Sequence, residues 1–229
     1  MIFVRELWNS YTAKVNGLEP ELPLLPIQYG DFARWQRQRA SEEAAQSQRK
    51  YWTDRLAGTI PALNLPTDMP RPLVQTFDGS RLPIFFSETL QDKLQAFSLE
   101  NEVTLFVTLL SVFKVLLYRY TGQTDLVVGS PVLNRGMPEV EQLIGSFINT
   151  LVLRTNCWGK ASFRDTLLTV RQSCVGAIAH QEFPFEKLVE ELQPERDLAQ
   201  NPIFRSCLLS KIEVFQRLNC QNFDVNLSK

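Results

Sequence analysis

The stretch L-F-V-T-L-L-S-V-F-K-V-L-L-Y-R-Y-T-G-Q-T-D-L-V-V-G-S-P-V, residues 105–132, sets the architecture. Its first part, Leu105 to Tyr120, carries apolar residues on nearly every side of a helical wheel, so the spacing predicts a central, buried helix. Thr104 stands at its start as an N-cap. Thr121-Gly122-Gln123-Thr124 is a turn, and Asp125 to Val132 reads as a buried strand. A buried helix turning into a buried strand implies an α/β domain.

The same alternation extends in both directions. Towards the N-terminus, Phe3, Leu7, Tyr11 and Val15 recur at four-residue steps and predict a helix over 1–16. Gly17 and Pro20 end it, and Glu21 to Pro26 is extended. A second helix is expected from about Ile27 to Ala57, with aromatics at Tyr29, Phe32 and Trp35, a polar middle, and Tyr51, Trp52 and Leu56 returning to the core. Pro61, Pro66, Pro70 and Pro72 mark a linker, which places a boundary near residue 70. Arg81 to Phe86 reads as a strand and Ser87 to Asn101 as a helix. Beyond the opening stretch, Glu139 to Leu143 is a short helix, Asn149 to Thr155 a strand, and Phe163 to Ala179 a long helix. A shorter helix follows from Pro184 to Leu192, with proline in its first turn. Ile203 to Leu209 is expected as a last strand.

Composition narrows the function classes. The chain has 229 residues, 44% of them hydrophobic and 21% charged, as in folded globular proteins. This is one large domain or two small ones. With 24 basic and 25 acidic residues there is no electrostatic case for nucleic acid or an anionic membrane. The longest apolar run, Val103 to Tyr118, is interrupted by Thr104, Thr108, Ser111 and Lys114 and falls short of the ~20 residues of a span. Arg5 and Glu6 come too early for a signal peptide. A soluble, cytoplasmic protein is expected. Cys157, Cys174, Cys207 and Cys220 form no C-x-x-C pair, and His180 is the single histidine, so a metal site would need an unusual ligand set. Four reduced thiols are expected.

No phosphate loop, dinucleotide fingerprint or nucleophile elbow is present. As a general base, His180 would need a partner acid and a nucleophile. Its alternative reading is a helix-end residue bonding free carbonyls. Tyr29, Phe32 and Trp35 have ordinary core spacing. Residue chemistry alone gives no active site.

The order of short segments is more informative. Tyr29-Gly30-Asp31-Phe32-Ala33-Arg34-Trp35 resembles the Y-x-D-[FY]-A-V-W motif of the condensation domains of nonribosomal peptide synthetases. Ile144 to Leu151, running on to Arg154, is similar to I-G-x-F-V-N-T-L…R. His180 to Glu186 resembles H-Q-D-x-P-F-E, and Arg196 to Ile203 resembles R-D-x-S-x-N-P-L. The segments Leu65 to Pro72 and Arg119 to Asp125 are also similar to the family. Arg34 replaces a small apolar residue and Glu182 replaces Asp. The family's catalytic H-H-x-x-x-D-G motif has no counterpart in these residues. By the resemblance it belongs just upstream of a segment like Phe3 to Leu7, so the family's histidine pair is expected to lie before Met1.

The resemblance implies a chloramphenicol acetyltransferase-like, two-lobed α/β sandwich. Residues 1–70 would be the last part of an incomplete first lobe with its linker. Residues 71–229 would be most of a second lobe, truncated at its end. In the family, carrier proteins bring phosphopantetheine thioesters to a tunnel between the lobes, and an acceptor amine attacks the donor carbonyl. The implied partners are carrier proteins and adjacent synthetase domains, with no cofactor bound directly by this chain. No catalytic residue is assigned, and the chain alone is expected to form no amide. Arg135 would be the cationic partner of the absent motif's Asp. Asn149 and Thr150 would line or support the tunnel, or cap a strand end. Asn201-Pro202 would fix a turn, and His180, Phe183 and Phe185 would be structural. The alternatives are a non-catalytic remnant that binds a carrier protein at most, or an acyltransferase of similar fold using coenzyme A. Exposed apolar faces over residues 1–57 predict self-association.

Overall fold

The computed structural model describes residues 2–39, 43–70, 72–76, 78–156, 161–194 and 201–209. The element order is α1 (Ile2–Val15), α2 (Tyr29–Arg39), α3 (Glu43–Arg55), α4 (Glu88–Glu100), α5 (Leu105–Thr121), β1 (Asp125–Val132), β2 (Asn149–Asn156), α6 (Phe163–Ala179) and α7 (Phe185–Leu192), with one 3-10 turn at Pro138–Val140.

The helix-turn-strand unit forms as its sequence dictates. The Thr104 hydroxyl accepts from the Val107 amide at 3.3 Å, capping α5. Gly122 closes the helix in the left-handed conformation, at φ 70°, and donates to the Tyr118 carbonyl at 2.8 Å. β1 then pairs antiparallel with β2, from Asp125 opposite Asn156 to Val132 opposite Asn149. On the other edge of β1, Gly129 donates to the Ser206 carbonyl and accepts from the Leu208 amide, both at 2.9 Å. Glycine gives Phe204 room there: an added Cβ would lie 2.4 Å from its ring, which would have to shift.

α5 and α6 cover this sheet. α6 starts with a reciprocal capping box between Ser162 and Asp165. Leu110, Val128, Val152 and Val170 are fully buried between the layers, and Trp52, Leu56 and Leu63 share the same core. Lys114 is also fully buried. Its ammonium donates to the Leu153 carbonyl at 2.6 Å and to the Thr155 hydroxyl at 2.8 Å. A residue that interrupts the apolar run in the sequence is thus a core residue held by hydrogen bonds.

The helix expected over 27–57 is described as α2 and α3, and residues 40–42 between them lie outside the described residues. Three expectations are corrected. Arg81–Phe86 is not a strand: no described segment pairs its backbone, and Leu82, Ile84 and Phe85 are at least three-quarters exposed. The expected strand Ile203–Leu209 contracts to one bridge, Gly129 opposite Cys207, and the chain bends at Ile203 and Arg205 within it. The short helix over 139–143 is the 3-10 turn. The helix expected over 1–16 runs from Ile2 to Val15. Met1, Cys157, Cys220 and the Arg196-Asp197 pair lie outside the described residues. No single described helix is long and apolar enough to cross a membrane.

Candidate functional site

The aromatic face of α2 builds one wall of the candidate site. Phe32, Val140, Leu143 and Phe147 form a second buried cluster, with Trp35 and Met137 packed against it. The Phe32 and Phe147 ring centroids are 4.6 Å apart, and Tyr29 meets Phe147 edge-on at 5.3 Å. The Tyr29 hydroxyl donates to the Ser146 carbonyl at 2.8 Å. Gly145 permits this approach, since a Cβ there would sit 2.2 Å from the Tyr29 ring.

Arg135 anchors the loop after β1. Its guanidinium donates to the Val140 carbonyl at 2.6 Å, Leu143 at 2.9 Å and Gly145 at 3.3 Å. It also lies over the Phe147 ring at 4.0 Å. Partial burial pushes its pKa down from the ordinary guanidinium value.

Asn149 joins β2 to the loop between α6 and α7. Its Nδ2 donates to the Gln181 carbonyl at 2.7 Å and the Phe183 carbonyl at 2.8 Å. Its Oδ1 accepts from the Thr150 amide at 2.9 Å and the Phe185 amide at 3.0 Å. All four partners are backbone groups. Thr150 stands beside it, half-buried.

His180 caps the end of α6. Its Nδ1 lies 2.7 Å from the Gly176 carbonyl, which fixes that nitrogen as the donor. Its ring stacks on Tyr51 at 3.9 Å and 4°, and its carbonyl accepts from the Trp52 indole at 2.9 Å. Asn201 accepts from the Ile203 amide at 3.0 Å and the Phe204 amide at 3.2 Å, the Asx-turn geometry expected of it.

Asn149 and His180 thus meet at the α6–α7 loop, and the neighbours of Arg135 face that loop across α2 and α3. Asn201 stands apart. Between these elements lies a cavity of about 140 Å³, lined by Phe32, Trp35, Gln48, Met137 and Phe183 among others. Arg39 and Glu182 form an ion pair at its rim, at 3.2 Å. The buried Gln48 Oε1 has no hydrogen-bond partner among the described residues. No described group of three or more His, Cys, Asp or Glu side chains is arranged to hold a metal.

Two contributors are invisible in the motifs' own chemistry. Arg154 pairs with Asp125 at 2.7 Å and donates to the Ala57 carbonyl at 2.8 Å and Thr59 at 3.1 Å, tying the end of α3 to the sheet. Tyr51 supplies the ring against His180. Arg154 follows Asn149 by five residues on the strand, but its partner Asp125 is set by the register with β1, which the sequence does not show.

A family profile for condensation domains matches residues 1–225. The chain belongs to the condensation-domain family. It is 48% identical over 204 residues to one of the linear gramicidin synthase subunits of Brevibacillus parabrevis, covering 89% of this chain and 4% of that protein. Malpibaldin synthetase of Mortierella alpina is 40% identical over 228 residues, again 4% of its length. The chain thus spans a small fraction of the curated relatives it matches. Its fold is also that of condensation domains, of the chloramphenicol acetyltransferase type. The X-domain from teicoplanin biosynthesis superposes with a TM-score of 0.83 at 24% identity, over 90% of this chain and 47% of that one. The first condensation domain of the CDA synthetase gives 0.62 at 20% identity, over 81% of this chain and 40% of that one.

Proposed function

We propose that this chain is framework of a nonribosomal peptide synthetase condensation domain and that these 229 residues by themselves form no amide bond. Residues 1–70 belong to the first lobe and its linker, and residues 71–229 to the second. The family reaction joins an acceptor amine to the carbonyl of a donor thioester: a C–N bond forms, the C–S bond breaks, and the pantetheine thiol leaves. Its substrates arrive on carrier proteins, and adjacent synthetase domains are the other partners.

The observation that carries the proposal is that His180 stands alone, where the family's motif needs an H-H pair. It is the single histidine in the sequence from Met1 to Lys229. Its Nδ1 is bonded to the Gly176 carbonyl and one ring face lies against Tyr51. A general base needs a free nitrogen within reach of the proton it takes, and a partner to orient it. With Nδ1 as the donor, the free lone pair of His180 is on Nε2, so one histidine is present where the family motif supplies a pair. Arg135 and Asn149 likewise direct their side chains to backbone groups. In this reading they hold the shape of the wall, and Arg135 is the group on which a carboxylate from the family's H-H-x-x-x-D-G motif would dock.

The test is a condensation assay with loaded donor and acceptor carrier proteins. The expected outcome is no dipeptidyl product above the uncatalysed background. Dipeptidyl product above that background would overturn the proposal.

A further inference from the structure

We infer that Phe147, braced by Tyr29 and Phe32, is a positioning residue: it sets how the Arg135 guanidinium presents its open edge to a carboxylate. This rests on the reading of Arg135 as the dock for such a group, and adds the device that aims it.

A guanidinium carries five N–H donors in one plane. In Arg135 the two on Nη1 are taken by the Val140 and Leu143 carbonyls, at 2.6 and 2.9 Å, with the Glu141 carbonyl beside them at 3.4 Å. One on Nη2 reaches the Gly145 carbonyl at 3.3 Å. The Nε–H and the second Nη2–H have no partner among the described residues. Those two lie on the same edge, the fork that holds a carboxylate through two parallel bonds. The fork serves only while its plane is fixed, because a turned guanidinium offers one bond instead of two.

The carbonyls grip one side of the group, and all of them belong to one loop. The other restraint is aromatic. The guanidinium carbon lies 4.0 Å from the Phe147 ring centroid, inside the ~6 Å reach of a cation–π contact. Partial burial of the cation, which also lowers its pKa, strengthens that attraction. Phe147 is only 5% exposed and is held on two sides. The Phe32 ring stands 4.6 Å from it, and Tyr29 meets it edge-on at 5.3 Å. The Tyr29 hydroxyl is in turn bonded to the Ser146 carbonyl. Aromatic contacts thus run from α2 through Phe147 to Arg135, all within this chain. An aliphatic side chain at 147 would fill much of the same space but would offer the cation no negative ring face.

The arginine Nε–H resonances of the 229-residue chain test this in a titration with sodium acetate, against sodium chloride at equal ionic strength. The Arg135 signal is assigned by its loss in Arg135→Lys. In the parent it is expected upfield of the exposed arginines, because it lies over a ring, and it should move and saturate as acetate binds. Phe147→Leu should abolish the upfield shift and weaken acetate binding by about 3- to 10-fold. Replacing Phe147 with pentafluorophenylalanine keeps the ring and reverses the charge of its face. That chain should lose acetate affinity to the same extent while its far-UV circular dichroism stays native, and it carries the test if the leucine variant unfolds. Equal acetate affinity in the parent and the pentafluoro chain would overturn the inference. So would an Arg135 signal that stays in place in a folded Phe147→Leu chain. A signal that moves in Phe147→Leu, when acetate does not bind the parent, would uphold the platform and overturn the docking reading instead.

Discussion

Replacing Asn149 with alanine removes four hydrogen bonds at a position only 7% exposed. Two are donated to the Gln181 and Phe183 carbonyls, at 2.7 and 2.8 Å. Two are accepted from the Thr150 and Phe185 amides, at 2.9 and 3.0 Å. Each protein–protein bond contributes about 1 kcal/mol net, and each buried group left without a partner costs about 1–3 kcal/mol. The loop can shift to let water reach some of these groups, so the sum is about 3–5 kcal/mol. That is a large part of the ~5–15 kcal/mol available to a domain. Urea denaturation should show it as a lower midpoint at unchanged slope. Asn149→Asp separates the two halves of the interaction. It keeps the acceptor but loses both donors, and it points a carboxylate at two carbonyl oxygens. Those oxygens raise the carboxyl pKa in the folded state. The stabilising protonated form is therefore complete below the unfolded carboxylate pKa of about 3.9 and is lost as pH rises through the raised folded value. The Asp variant should be no better than Ala at pH 7 and should improve relative to it on acidification. A cost for Asn149→Ala below about 1 kcal/mol, or an Asp variant as stable as the parent at pH 7, would refute the assignment of this side chain as the link between β2 and the α6–α7 loop.

Arg154→Met should cost about 1–3 kcal/mol, because Asp125 is left partly buried without its cation; Asp125→Asn in the same chain should recover part of this, read from a double-mutant cycle in urea. Burial pushes the Cys174 thiol up from 9.0 to about 11. At pH 8 it should therefore resist alkylation in the folded chain while exposed Cys207 reacts, as resolved by peptide mass mapping. The same shift has a definite sign for stability. The folded thiol binds its proton more tightly than the unfolded one, so its contribution is complete below pH 9 and falls by roughly 2–3 kcal/mol as pH rises towards 11. Cys174→Ala should flatten that alkaline limb. Gly145→Ala should force the Tyr29 ring from its place and cost about 1–3 kcal/mol, with Tyr29→Phe/Gly145→Ala no better than Gly145→Ala alone in thermal unfolding.

The sequence was most legible where local signals agree with one another. Thr104 and Gly122 bracket α5 as caps, and α6 runs over the span that its periodicity predicts. The strand β1 also runs as predicted, because a continuous apolar run between turns has few other solutions. Legibility failed where the outcome depends on a distant partner. Arg81–Phe86 has strand composition, but a strand exists only if another backbone pairs with it. Lys114 looks like an interruption until the register of β2 places the Leu153 carbonyl and Thr155 hydroxyl at its tip. The site residues divide the same way. Asn201 was readable because its bonds are to amides two and three residues on. The bonds of Asn149, 32 to 36 residues away, were not.

The polar residues that mark this family in sequence turn out to share one physical role here. Asn149 bonds only backbone atoms, Arg135 bonds carbonyls along one loop, Asn201 closes a turn, and Arg154 divides itself between one carboxylate and two carbonyls. Such residues are demanding about neighbours, because a buried carbonyl or amide accepts few substitutes. Where donors and acceptors are already taken by the backbone, little capacity is left for chemistry. A reacting amine and thioester need groups with spare hydrogen-bonding capacity, aimed at charge that develops in the transition state. A set of motifs can thus be strongly family-like and still describe a scaffold.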